Sequence, residues 1–214
     1  MIKVLRIEVG SYASNCYLIW DDETSQGVII DPGAEEEQIL TSLEKAGFTP
    51  LAILLTHAHS DHIGGVKMVK EKFDIPIYIA AEEKEWLTNP ELNLSAMSGD
   101  PVVAMEPDEL LSDEQLLTFG SVKFRTLHTP GHSPGSISFL NEERGMLFCG
   151  DALFAGSIGR TDFPGCSLEQ LMESITKKIM SLPDSIICFP GHGSHTTVGA
   201  ERTDNPFING SFFA

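Results

Sequence analysis

Residues 51–65, LAILLTHAHSDHIGG, join an apolar run to three histidines and an aspartate that fall within six residues. The run before Thr56 is typical of a strand that is buried on both faces. His57 and His59 are two residues apart, so their side chains share one side of an extended chain but would point in nearly opposite directions on a helix. We therefore place them in a loop at the end of the strand, unlike the helical zinc motif, whose histidines are four residues apart.

Asp61 and His62 complete a group of four ligand-type side chains directly before Gly64 and Gly65. Such side chains are costly to bury unless they are paired or bind a cation, which disfavours a chance or purely structural cluster. The stretch therefore predicts a metal site. Apolar residues at helical spacing after Gly65 predict a helix that leads away from it.

The composition is that of one globular domain, which we place over residues 1–214. Apolar residues make up 42% and charged residues 21%, and no apolar run is long enough to span a bilayer. The first residues alternate like a strand and lack the apolar core of a signal peptide, so we expect a cytoplasmic protein. The four cysteines form no Cys-x-x-Cys pair and are expected to be reduced, mostly buried residues: Cys16, Cys149, Cys166 and Cys188.

The net charge of −17 bears on the partners of the protein. An acidic surface repels nucleic-acid phosphates and anionic lipid, so we expect neither a nucleic-acid nor a membrane partner. A small-molecule substrate remains the expected partner. The oligomeric state is left open.

The first half of the chain begins as a meander of three strands, at 2–9, 15–20 and 27–31, followed by a helix that ends at Gly47. A strand at 75–79 and a helix at 81–87 come after the histidine-rich loop. Residues 88–107 contain three prolines and no clear period, so they form either a binding loop or a passive surface excursion. Asp31 either caps the first helix or orients a metal ligand.

The second half alternates short strands with glycine-bearing turns. Hairpins are predicted at 116–127 and 136–149, and a loop at 152–166. Ser167 and Gln170 have capping-box spacing for a helix that runs to about Met180. A buried strand at 186–190 ends the pattern.

One arrangement recurs along the chain: an apolar strand, a glycine-bearing turn and then a ligand-type residue. It occurs at 57–62, His132, Asp151 and His192. If these strand ends share one edge of a layered structure, five histidines and two aspartates face one another. Seven ligands suffice for two metals that keep open positions, since a catalytic zinc commonly takes three protein ligands.

These motifs resemble the metallo-β-lactamase superfamily over nearly the whole chain. The matching elements are His-x-His-x-Asp-His at 57–62, Thr-Pro-Gly-His at 129–132, Gly-Asp at 150–151 and Pro-Gly-His at 190–192. The resemblance implies an α/β fold, the four-layer αββα sandwich. It also implies two divalent metal ions, zinc first with iron or manganese as alternatives. By position it places His57, His59 and His132 on one metal, Asp61, His62 and His192 on the other, and Asp151 between them.

Within that superfamily, residues 159–163 and 201–207 are similar to glyoxalase II-type enzymes. The resemblance implies hydrolysis of a hydroxyacylglutathione thiolester by a hydroxide held between the metals, with Asp61 and Asp151 as catalytic residues. A thiolate leaving group has a pKa near 8.5 and needs no strong acid to depart. Glyoxalase II carries a helical glutathione-binding domain, whereas 22 residues follow His192 here.

Two rival functions stay open at this point. The chain also resembles persulfide dioxygenases, which would hold one iron through His57, His132 and Asp151. A metal-stabilised interaction module is the second rival, although closed structural zinc sites are usually rich in cysteine. Outside the ligand pattern, we favour a hydrogen-bonded structural role for His128 over contact with substrate, and we expect His195 to be exposed. Arg160 either binds a substrate carboxylate or pairs with Asp162 or another acid, and we favour the ion pair.

Overall fold

A computed structural model describes residues 1–213. Its first sheet contains six strands whose spatial order follows the chain. The first three strands pair antiparallel and the last three join in parallel. The strands are β1 Ile2–Val9, β2 Ser14–Asp21, β3 Gln26–Ile30, β4 Thr49–Leu54, β5 Ile77–Ala80 and β6 Glu109–Leu111.

The second sheet also has six strands, in the order β14-β13-β10-β9-β8-β7. Strands β7 to β10 form an antiparallel meander, and β13 joins β10 in parallel. A separate two-stranded ribbon, β11-β12, follows β10. The strands are β7 Leu116–Phe119, β8 Val122–His128, β9 Ile137–Asn141, β10 Met146–Gly150, β11 Leu153–Phe154, β12 Ser157–Ile158, β13 Ile187–Pro190 and β14 Thr196–Thr197.

Short helices connect the strands and cover the sheets. The α-helices are α1 Glu36–Ala46, α2 Ser60–Ile63, α3 Val66–Phe73, α4 Leu168–Ser174 and α5 Val198–Asp204. Segments of 3-10 helix lie at Ala81–Thr88, Ser95–Met97 and Ser211–Phe213, and a π-helical turn at Ile175–Ile179 continues α4. Across residues 1–213, every helix is too short or too polar to cross a bilayer.

Three apolar cores divide the structure into four layers. On β2, Leu18 packs outward under α1 and α3, while its neighbours Tyr17 and Ile19 point inward towards the second sheet. This alternation follows from the two-residue period of a strand. Leu171 and Ile175 cover the outer face of the second sheet. The predicted αββα sandwich is therefore confirmed.

The structure differs from the sequence prediction mainly in its short elements. The predicted helix after β5 is present as a 3-10 helix, and the helix after Ser167 changes to π geometry at Ile175. Strands β6 and β14 and helix α5 were not predicted, and the ribbon β11-β12 lies in the segment 152–166 that was predicted as a loop. Strands of two or three residues carry too few side chains for a period to show in the sequence.

Phe148 provides a test of the central core. It is fully buried between the sheets, and its ring stacks on Phe189 and meets Tyr17 and Phe124 edge to face. We expect Phe148→Ala to lower the free energy of unfolding by about 3–5 kcal/mol, because it removes apolar contacts and leaves a cavity. Chemical denaturation of parent and variant at equal metal content would measure the change.

The matched control is Leu116→Ala on the edge strand β7, where the side chain is 75% exposed. That variant should change the free energy of unfolding by less than about 0.5 kcal/mol. Equal losses at the two positions would contradict this description of the core.

Candidate metal centre

The ligand-type residues predicted from the sequence lie together at one edge of the sandwich. The His57–His62 loop follows β4, His132 lies between β8 and β9, Asp151 follows β10, and His192 follows β13. Close backbone approach is needed to bring them together. A Cβ on Gly191 would lie 2.0 Å from Asp151 Oδ1, so only glycine fits there.

Asp151 lies between two groups of three side chains. Its Oδ2 is 3.5 Å from His132 Nε2 and 3.4 Å from His192 Nε2, and its Oδ1 is 3.5 Å from His62 Nε2. Within each group, one candidate ligand atom per residue lies within 4.8 Å of the others. We name them the first ligand set, His57, His59 and His132, and the second ligand set, Asp61, His62 and His192.

Several polar atoms of this cluster have no hydrogen-bond partner. Among the described residues, four buried side-chain nitrogen or oxygen atoms are unpartnered, and three of them are His57 Nε2, His62 Nε2 and Asp151 Oδ1. A buried polar atom without a partner is destabilising. Because the three atoms face the same small space, the donor set fits divalent cations.

The outer nitrogens of four histidines are held by oxygen atoms. His132 Nδ1 donates to the carbonyl of Arg160 over 2.8 Å, and His192 Nδ1 donates to that of Tyr12 over 3.1 Å. His57 Nδ1 lies 3.1 Å from the Thr56 hydroxyl. These contacts favour the tautomer whose Nε2 lone pair can bind a metal. His132 Nε2 also lies 2.9 Å from His59 Nδ1, so two ligand atoms of the first ligand set face each other directly.

Asp31 holds the fourth of these histidines. Its Oδ2 lies 3.1 Å from His62 Nδ1, and its carboxylate accepts from the backbone N–H and the hydroxyl of Thr56 at 2.8 and 2.6 Å. Glu35, not Asp31, is the residue at the start of α1. Of the two roles that the sequence left open, the geometry therefore favours the orientation of a ligand.

Two supporting residues were missed by the sequence analysis. Asn15 on β2 donates to the carbonyls of Pro190 and Gly193, both over 2.9 Å, and so holds the turn that carries His192. Glu83 is fully buried and bonds the backbone of the two loops that carry the first ligand set. Both residues make hydrogen bonds to groups far away in the chain, so no local sequence pattern predicts these contacts.

Burial and the nearby carboxylates have opposite effects on the pKa values of the histidines in the second ligand set. Burial disfavours the protonated form of His62, but the carboxylates of Asp61, Asp151 and Asp31 outweigh it and raise its pKa to about 9. His192 behaves alike: burial lowers its pKa, while Asp151 and Asp61 raise it to about 11. Protons and cations therefore compete for the second ligand set.

In the first ligand set, the pKa values of two histidines shift in the opposite direction. Burial, followed by the neighbouring His132, lowers the pKa of His59 to about 3. Burial and the surrounding imidazoles also lower the pKa of His57 well below its usual value. Neutral imidazoles are the form that coordinates a metal.

The cluster opens into a cavity of about 490 Å³. Its floor contains Asp61, Asp151 and three of the histidines, and its walls include residues from the middle segment 88–107. That segment is thus part of the cavity and not a passive excursion. The remaining wall residues are Tyr12, Asn93, Leu94, Met97, Phe154, Arg160 and Phe163, with Ser60 and Ser98.

The remaining histidines, Arg160 and the cysteines have the contacts and exposure expected from the sequence. His128 Nε2 is 3.1 Å from the carbonyl of Pro134, and His195 is exposed. Arg160 donates to both carboxylate oxygens of Asp162, at 2.9 and 2.8 Å, and its guanidinium lies 4.4 Å above the ring of Phe163. All four cysteines are free thiols, and three are buried.

Comparisons with curated proteins give full-length relatives. The chain is 44% identical over 210 residues to the probable metallo-hydrolase YqgX of Bacillus subtilis, covering 98% of this chain and 99% of the relative. It is 40% identical to the hydroxyacylglutathione hydrolase GloC of Haemophilus influenzae, with 95% and 96% covered.

Solved structures agree with this relationship. The BLEG-1 B3 metallo-beta-lactamase matches with a TM-score of 0.93 and 45% identity, covering 97% of this chain and 99% of that one. TTHA1623 in a di-iron-bound form matches with a TM-score of 0.86 and 39% identity, covering 95% and 100%.

The family model described as the metallo-beta-lactamase superfamily matches residues 9–192, which contain every residue of the two ligand sets and Asp151. The fold, the full-length relatives and the clustered ligand types agree with that match. This chain belongs to the metallo-beta-lactamase superfamily.

Proposed function

We propose that the protein is a metal-dependent thiolester hydrolase of the hydroxyacylglutathione hydrolase type, and that it holds two divalent cations. The observation that carries the proposal is the pair of ligand sets joined by Asp151, with unpartnered Nε2 and Oδ1 atoms between them. The full-length likeness to the Haemophilus hydroxyacylglutathione hydrolase supports the substrate class.

The residues that would hold the cations follow from the two sets. His57, His59 and His132 would hold the first, and Asp61, His62 and His192 the second, with the Asp151 carboxylate between the two sets. Two bound cations would supply a Lewis acid for the thiolester carbonyl and would lower the pKa of a water molecule. Zinc is the expected metal, and the di-iron form of TTHA1623 keeps iron as the alternative.

The protein itself would orient the reactants. The Asp61 side chain is 21% exposed and lines the cavity, so its carboxylate can accept a hydrogen bond from the attacking water. The leaving thiolate has a pKa of about 8.5 and departs without a protein acid. Tyr12, Met97 and Phe163 give the cavity apolar walls, which would bind the substrate and limit access of bulk water.

The direct test of this function is turnover together with metal content. We expect about two zinc or iron ions per chain and hydrolysis of S-D-lactoylglutathione that follows the metal content. The likeness to BLEG-1 makes a β-lactam the second substrate to assay. One iron per chain with oxygen uptake on glutathione persulfide would instead support the dioxygenase. Absence of bound metal after purification in zinc-supplemented medium would exclude both enzymes.

Asp151→Ala tests the shared carboxylate. We expect loss of bound metal from both sites and a fall in kcat/KM of about 100-fold or more, the scale of losing one group that stabilises charge in the transition state. Elemental analysis and a thiolester assay measure the two effects. Full activity in this variant would remove Asp151 from the proposed site.

His192→Ala, compared with His195→Ala, tests the second ligand set. His192 Nε2 lies 3.2 Å from Asp61 Oδ2, whereas His195 is exposed and outside both sets. The first variant should retain about one cation per chain, by the three-ligand rule for the intact set. The second should retain the metal content of the parent. Equal metal loss in both would contradict the assignment.

The charge of the cavity predicts how the thiol is recognised. Arg160 is the one lysine or arginine among the lining residues, and it is already paired with Asp162. We therefore expect a glutathione thiolester with an amidated glycine carboxylate to keep kcat/KM within about fivefold, since exposed ion pairs contribute about 0.2–1 kcal/mol. A loss of two orders of magnitude, reproduced by Arg160→Gln on the unmodified substrate, would show that Arg160 binds that carboxylate.

A further inference from the structure

Glu83 is a buried carboxylate that the proposed chemistry does not use. It lies in the 3-10 segment Ala81–Thr88 with no exposed surface, although its neighbours Glu82 and Glu85 are exposed. An unpaired carboxylate in this position is costly unless hydrogen bonds satisfy it. The hydrogen-bond partners of Glu83 therefore indicate its role.

All the hydrogen-bond partners of Glu83 are neutral groups from the two loops that carry the first ligand set. Oε2 accepts from the backbone N–H of Ala58 at 2.5 Å, between His57 and His59. Oε1 accepts from the backbone N–H of Gly135 at 2.8 Å and from the hydroxyl of Ser133, the residue after His132. One side chain thus joins the His57–His59 loop to the His132 loop.

The Glu83 side chain is tightly packed on the side of Gly135. A Cβ on Gly135 would lie 2.9 Å from Glu83 Cγ and 3.0 Å from the Cβ of Ala80, so a side chain at position 135 would displace the carboxylate. The same 3-10 segment carries Trp86, whose ring centroid is 5.8 Å from that of His59. The segment therefore supports the first ligand set at two points.

The second ligand set has a different support. Asp31 bonds Thr56 and His62, and Asn15 holds the turn that carries His192. Glu83 contacts none of these groups through its hydrogen bonds. The two halves of the site are thus held by separate buried side chains.

We propose that Glu83 is a positioning residue that fixes His57 and His59 relative to His132 and thereby sets the affinity of the first ligand set for its cation. The inference rests on the proposed two-cation site. Its chemistry requires a carboxylate, because both oxygens accept hydrogen bonds. In glutamine, the amide NH₂ would replace one of these oxygens and would face the N–H of Ala58 or that of Gly135, so that two donors would meet without an acceptor.

The experiment measures single-site affinity in two backgrounds. In His192→Ala the first ligand set stays complete, and in His59→Ala the second set stays complete. Glu83→Gln is introduced into each background, with Glu82→Gln as the matched control at an exposed position. Zn²⁺ affinity is measured by competition with a chromophoric chelator, and the thermal unfolding midpoint of each metal-free chain is recorded.

In the His192→Ala background we expect Glu83→Gln to weaken Zn²⁺ binding by about 10–100-fold, the range for residues that orient metal ligands. In the His59→Ala background the change should be less than about threefold, because Glu83 makes no hydrogen bond to the second ligand set and independent sites are additive to within about 0.5 kcal/mol. Glu82→Gln should leave both affinities unchanged. Equal losses in both backgrounds, or unchanged binding in the first, would overturn the inference.

Ser133→Ala covers the case in which Glu83→Gln does not fold. It removes one donor to Oε1 while leaving the two backbone donors, so we expect Zn²⁺ affinity to fall by about 2–10-fold in the His192→Ala background only.

A purely structural role for Glu83 would lower the unfolding midpoint and weaken Zn²⁺ binding at both sites together. If neither single-site background binds Zn²⁺ and the parent binds none, the two-cation proposal fails, and the positioning role fails with it. If the parent binds two ions and Glu83→Gln has no selective effect, only the positioning role fails.

Discussion

The structure depends on a group of buried nitrogen and oxygen atoms, from histidines and an aspartate, that converge at one edge of the sandwich. His57 Nε2, His62 Nε2 and Asp151 Oδ1 are buried at the edge where the two sheets meet, and none has a hydrogen-bond partner among the described residues. Such atoms are costly to remove from water. A cation that accepts their lone pairs would offset that cost, and the rest of the fold serves to hold these atoms at this edge.

The clustered ligand side chains are held in place by the strands that end beside them and by hydrogen bonds from surrounding residues. Strand β4 of the first sheet and strands β10 and β13 of the second lead into the loops that carry the ligands. Gly191 allows the backbone to pass close to Asp151. Oxygen atoms around the rim hold the outer nitrogens of the histidines, and the buried carboxylates of Asp31 and Glu83 hold the loops. These contacts restrict the ligand side chains to one arrangement, which limits the conformational entropy that cation binding would otherwise cost.

The sequence indicated which seven residues lie together, because each lies in or beside a loop that follows an apolar strand and carries glycine. It could not decide the role of Asp31, since a residue after a strand can cap the next helix or reach across the fold. Glu83 was missed for a physical reason: it lies among exposed acidic residues, and only tertiary contacts show that its carboxylate is buried. The short strands β6 and β14 were missed because two or three residues carry no measurable period.

We propose that two cations lie on either side of Asp151. Anomalous X-ray diffraction from crystals grown with zinc, recorded on both sides of the zinc absorption edge, would locate them. We expect two anomalous peaks per chain, one beside His57, His59 and His132 and the other beside Asp61, His62 and His192, with Asp151 between them. A single peak with the second ligand set empty, or peaks only at surface residues, would refute the two-cation site.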